Sequence, residues 1–181
     1  MSSFVYGLML KRLGVVQSHA VSIQRNLKVR MPDGAELLTD VYLGNASGAP
    51  VVMIRSPYGK TLSFAARTAY PLAARGFNVV MQCCRGTFGS SGEFNPHHDE
   101  ERDGLETLAW IKRQPWYRDA IATFGMSYLG YTQWAVAASA GPELRTMAMQ
   151  VTSSDFSRMT YAGDSFMLVN ALSWTQMVTG L

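Results

Sequence analysis

The sequence predicts an α/β protein built on a doubly wound, largely parallel sheet. Three observations carry that expectation. Apolar runs alternate with amphipathic stretches along the chain. One run, "FNVVMQCC", is almost continuously apolar, as a parallel strand covered on both faces must be. Another, "IATFGMS", passes through a serine directly into an alanine-rich helical segment.

The elements follow in order. "QRNLKVRMPDGAELLTDVYLG" reads as two strands around Asp33-Gly34, a hairpin signal. "VVMIRSPYG" is a short strand ending at Pro57, followed by a helical region from Thr61 to Arg75. Proline suits a first helical turn, so Pro71 is expected to open the second half of that region, and Gly76 to stop it. After "FNVVMQCC" comes "CRGTFGSSGEFNPHH", a turn-rich loop that lacks the Lys-Ser/Thr ending of a phosphate cradle. A helix near Asp99 to Gln114 carries acids in its first turns and Lys112 and Arg113 at its end, matching the helix dipole. "IATFGMS" is the next strand, then a helix from about Tyr128 to Ala140, then the strand "LRTMAMQVT". From Asp155 on, Met and aromatic residues read as one or two helices.

Composition bounds the function. A chain of 181 residues, 48% hydrophobic and 16% charged, is globular and large enough for one real core. Residues 1–32 hold five basic side chains and no acid, whereas the remainder sums to −2. The expected division is a basic N-terminal extension (1–25), a core (26–154) and a helical segment beginning at 155. The apolar stretch "FVYGLML" precedes Lys11 and Arg12, the reverse of a secretory signal, although an acid-poor leader also suits organelle targeting. No concentrated basic face stands beside aromatic platforms, and no apolar stretch approaches the ~20 residues of a membrane span, so neither nucleic acid nor membrane is expected as a partner. Cys83 and Cys84 are adjacent, point to opposite faces if in a strand, and match no zinc spacing even with His97 and His98. Buried thiols in a reducing, cytoplasmic compartment are expected, with no metal or cofactor.

Active groups in such sheets gather at the C-terminal ends of the strands. Ser56 to Tyr58, the glycine loop from Arg85, and Ser127 all fall there. A serine on a sharp strand-to-helix turn needs small neighbours, and its helix points a free backbone N–H, here that of Tyr128, at the site. The usual pattern is G-x-S-x-G, but here it is G-x-S-x-x-G, with Leu129 in the expected glycine position. On this motif alone Ser127 is either a nucleophile or a structural turn serine. Tyr58 ends the strand that supplies a second oxyanion donor in hydrolase folds, and a tyrosine hydroxyl can be that donor.

The stretches "MPDGAELLTDVYLG", "VVMIRSPYGK", "LAARGFNVVMQCCRGTFGSSGEF", "DGLETLAWIKRQPW" and "GMSYLGYTQWAVAA" resemble, in order and spacing, the X-Pro dipeptidyl-peptidase-like and cocaine esterase-like serine hydrolases. The resemblance runs from about Val29 onward and implies the N-terminal part of an α/β-hydrolase fold with the start of a helical cap. It implies Ser127 as nucleophile, Tyr58 as oxyanion hydroxyl, Tyr128 as oxyanion backbone N–H, and Trp174 as an aromatic lining the acyl pocket, which also reads as a core tryptophan of the cap helix. Cys83 departs from the aspartate usual before Arg-Gly, for which a packing effect alone is expected. The implied substrate is a small-molecule ester or amide, or a peptide.

The base is the gap. His19, His97 and His98 all precede Ser127, whereas the fold orders serine, acid, histidine. The histidine pair reads as solvated and capping the next helix, the alternative being one ring near the site in a rearranged geometry. Asp155 and Asp164 fall on the cap side. The chain is therefore expected to lack its catalytic Asp and His, supplied by a missing C-terminal half in the same or another chain. The alternative is a non-catalytic remnant with a structural or binding role, or half of a split enzyme.

Overall fold

The computed structural model describes residues 3–14, 16, 19–60 and 66–179. Helix α1 (Ser3–Arg12) sends Leu10 into the core. Strands β1 (Ser22–Arg30) and β2 (Glu36–Leu43) form the expected antiparallel hairpin, closed from the Arg30–Glu36 pair. Its turn is built by Gly34 at φ 88° and by Asp33, whose carboxylate accepts the Ala35 N–H.

The chain continues through β3 (Val51–Ser56), α2 (Ala66–Ala74), β4 (Asn78–Cys83), α3 (Glu100–Lys112), β5 (Ile121–Met126), α4 (Tyr128–Ala137) and β6 (Leu144–Gln150). The six strands lie in the order β1-β2-β4-β3-β5-β6, and β4, β3, β5 and β6 are parallel. β3 and β4 are buried at every residue, which explains their continuous apolar runs. Alternate residues serve opposite faces. Val52, Ile54, Val79 and Met81 pack with Ala69, Tyr70 and Ala73 of α2, whereas Val51, Met53 and Val80 pack with Leu108 and Ile111 of α3 and Val136 of α4. Helices on both faces make the sheet doubly wound. Cys83 and Cys84 are both free and fully buried.

Two expectations need correction. Pro71 does not open a new half-helix; it sits inside α2. The missing N–H would have bonded four residues back, at Arg67, so the lost bond falls in the first turn of α2; Gly76 at φ 97° follows the helix end. The part of the expected helix at Thr61 to Ala65 lies outside the described residues. Second, the C-terminal segment is not helix alone. Between α5 (Phe156–Thr160) and α6 (Leu168–Thr179), the pair β7 (Tyr161–Ala162) and β8 (Ser165–Phe166) turns tightly through Gly163-Asp164. Among the described residues no helix is long and apolar enough to cross a membrane.

Candidate active site

The parallel strands deliver their C-terminal ends to one edge of the sheet. After β5 the chain reverses at Ser127, whose φ 57° and ψ −128° are strained for a residue with a side chain. The turn is held from both sides: the Ser127 N–H donates to Gln150 O, and Ser127 O accepts from Gly130 and Tyr131. Ser127 itself is exposed. Tyr128 is the first residue of α4, so its N–H belongs to the turn that finds no acceptor within the helix.

The displaced glycine now has a physical reason. A Cβ on Gly130 would lie 2.6 Å from Thr152, just past β6, and one on Gly125 would lie 2.3 Å from Leu129 Cβ. Leu129 cannot be the small residue because it folds back over Gly125 into the core. Buried Gln133, with no signal in the sequence, ties α4 to the sheet. Its amide donates to Gly125 O and accepts from Thr123 Oγ1 at 2.8 Å.

Tyr58 follows β3, and its backbone is fixed on both sides. The Tyr58 N–H donates to Ser56 Oγ, and two residues later buried Lys60 pairs with buried Asp40 at 2.7 Å. Asp40 also accepts from Arg25 and from the N–H of Asn26, the bulge residue at φ 55°. On the loop after β4, Arg85 makes a two-pronged pair with Asp103 at 2.6 and 2.9 Å and reaches Asp33 at 2.8 Å.

That loop brings in a group the sequence placed elsewhere. His97 is not a helix cap. Its ring packs on Tyr128, Tyr131, Phe156 and Trp174 at the cavity wall, with its backbone at φ 72°. Burial, then the neighbouring His98, pushes the His97 pKa below its ordinary 6.5. Both His97 and His98 keep exposed surface, His97 while its ring packs on the aromatic wall. Behind Tyr128 lies a buried polar chain. Arg55 pairs with Glu100 at 2.9 Å, the Tyr128 hydroxyl donates to Glu100 at 2.9 Å, and it accepts from the His97 N–H at 3.0 Å. Burial, then the Glu100 charge, raises the Tyr128 pKa, so this phenol is held neutral.

The segment after β6 closes the site. A cavity of about 410 Å³ is lined by Ser127, Tyr128, His97, Met159, Phe166 and Trp174, among others. Trp174 stacks on Tyr128 with rings 12° apart, and its indole N–H donates to the Tyr58 hydroxyl at 3.0 Å. The structure thus places Ser127, Tyr128 and Trp174 on one cavity wall, and Tyr58 is joined to them through its hydrogen bond with Trp174. His97 joins them at the cavity wall, as in the alternative the sequence left open for one of the two rings. Among the described residues, no group of three His, Cys, Asp or Glu is placed to hold a metal ion.

A doubly wound sheet whose strained serine heads a helix at the strand ends defines an α/β-hydrolase. Comparison with known proteins gives the particular family. The profile of the X-Pro dipeptidyl-peptidase (S15) family matches residues 33–181. The chain is 40% identical over 168 residues to the cocaine esterase of Rhodococcus sp. (strain MB1 Bresler), covering 88% of this chain and 29% of that enzyme. A CocE/NonD family hydrolase from Staphylococcus aureus superposes with a TM-score of 0.60 at 29% identity, over 69% of this chain and 26% of the other. An α-amino acid ester hydrolase shares the fold at a TM-score of 0.59 and 23% identity, over 73% of this chain and 25% of the other. The chain belongs to the X-Pro dipeptidyl-peptidase (S15) family of serine hydrolases. It spans under a third of the length of these relatives.

Proposed function

We propose that Ser127 is the nucleophile of an acyl-transfer reaction to water, acting on a small ester, amide or peptide. Ser127 attacks the carbonyl, and the tetrahedral oxyanion receives hydrogen bonds from the Tyr58 hydroxyl and the Tyr128 N–H. The leaving group departs, and water releases the acyl group from Ser127 Oγ. Residues 155–181 begin a cap over this site. The observation that carries the reading is the Ser127 backbone. That strain sits where an exposed serine meets a helix N-terminus and an aromatic cavity.

A serine hydroxyl is a weak nucleophile without a base. No histidine follows Ser127 in these residues. The general base and its orienting acid therefore come from residues outside this segment, in the same or another chain. The 181-residue chain alone is expected to turn over negligibly. The same observation favours a second reading, in which the elbow persists as architecture only.

A fluorophosphonate probe separates the two, because it labels only an activated serine. Labelling of the full-length gene product at Ser127, lost in Ser127→Ala, is the expected result. An unlabelled Ser127 in that product sinks the catalytic reading. Ordinary esterase turnover by the purified 181-residue chain refutes the assignment of the base elsewhere.

A further inference from the structure

We propose that Trp174 is a positioning residue for the oxyanion donors, acting through the Tyr58 hydroxyl; this rests on the reading of Tyr58 and Ser127 given above. An indole N–H only donates, so in the 3.0 Å contact the Tyr58 oxygen must accept. A phenol carries its proton in the ring plane, on one side of the oxygen or the other. With one side occupied by the indole N–H, the proton is directed to the other side, free for a developing oxyanion. The accepted hydrogen bond also polarises the hydroxyl and strengthens its donation to the next acceptor.

The indole is itself fixed. It stacks on Tyr128 at 5.6 Å with planes 12° apart and lies against His97 at 29°. One side chain of α6 thereby touches both residues assigned as oxyanion donors, across 116 positions of sequence in the case of Tyr58. Seating α6 therefore sets the geometry of the Tyr58 donor. A tryptophan that merely lined an acyl pocket would need its rings, but not its N–H.

Trp174→Phe keeps the ring and removes the N–H. In the full-length gene product, with a p-nitrophenyl acyl ester, kcat is expected to fall about tenfold with KM nearly unchanged. Tyr58→Phe is expected to cost roughly a hundredfold. Adding Trp174→Phe to Tyr58→Phe is expected to cost nothing further, since the N–H then has no hydroxyl to orient. A second measurement reads the contact without turnover. Among the tryptophan indole signals of the ¹⁵N-labelled full-length product, the one absent in Trp174→Phe is expected to move upfield in Tyr58→Phe.

Multiplying losses in the double variant, an effect on KM alone, or an unmoved indole signal would each overturn the proposal. Failure of the underlying reading has a different signature, full turnover in Ser127→Ala.

Discussion

The Tyr58 loop is anchored by a charge pair that ought to be expensive to break from one side. Asp40 is wholly buried, and the Lys60 side chain that meets it is 8% exposed. Asp40→Asn keeps the shape and removes the countercharge. Lys60 then faces neutral amide oxygens, that of Asn26 and that of the new asparagine, and no countercharge. Breaking a buried pair from one side costs about 3–5 kcal/mol, because the remaining ion is left uncompensated. The lower end applies here, since the Arg25 side chain on the other carboxylate oxygen is 36% exposed and can turn to water. At a urea m-value of about 2 kcal/mol/M, a loss of about 3 kcal/mol lowers the midpoint by about 1.5 M. Asp40→Leu with Lys60→Met removes both charges and should recover most of that loss. Urea unfolding followed by circular dichroism, all variants in one expression background, gives the comparison. A midpoint drop below about 0.5 M for Asp40→Asn, or a double variant as weak as the single, would refute the reasoning.

Two further outcomes follow from the elbow and the cavity wall. Gly130→Ala gains about 1 kcal/mol of helix propensity but drives a methyl to within 2.6 Å of Thr152, so a net destabilisation of about 1 kcal/mol is expected, relieved by Thr152→Gly. A Gly130→Ala chain that unfolds at higher urea than the parent would contradict this. For His97, the folded pKa lies below the 6.5 of an unperturbed imidazole. Below that pH the unfolded chain takes up a proton the folded one refuses, so stability falls as pH drops from 6.5 toward the folded pKa. The midpoint difference between pH 7.5 and pH 5 should therefore shrink in His97→Gln, and an identical difference in both proteins would show that His97 is not the source.

What the sequence reveals and what it hides divide along sequence distance. The β1–β2 hairpin is legible because its turn signal, Asp33-Gly34, and the strands flanking it sit side by side in the sequence. The burial of β3 and β4 is legible because each is a single apolar run. The limits of α3 follow from charges at its own ends. Ser127 is legible as a turn for the same reason, although the shifted glycine becomes intelligible only when Thr152 arrives from beyond β6. The small β7–β8 hairpin was signalled by Gly163-Asp164 between aromatic residues, but the Met-rich surroundings suggest helix when read as composition. His97 is a different case. Its place in the cavity depends on a loop that turns through a positive-φ residue and on rings contributed by α4, α5 and α6. No local pattern encodes that convergence, just as none encodes the bond from Trp174 to Tyr58.

The two adjacent cysteines give the molecule an internal clock. Burial pushes the Cys83 thiol up to about 12 and raises that of Cys84 well above its ordinary value, so neither is a thiolate at neutral pH while the fold is closed. They sit at the end of β4, a fully buried strand whose exposure requires opening the sheet itself. A thiol reagent added to the folded protein can therefore react only in the moments when that sheet is apart. The rate of modification counts those openings without any engineered label. Cys83 lies near Lys60 and Asp40 and Cys84 near Glu100 and Arg55, so their separate rates distinguish loosening around the Tyr58 loop from loosening around α3.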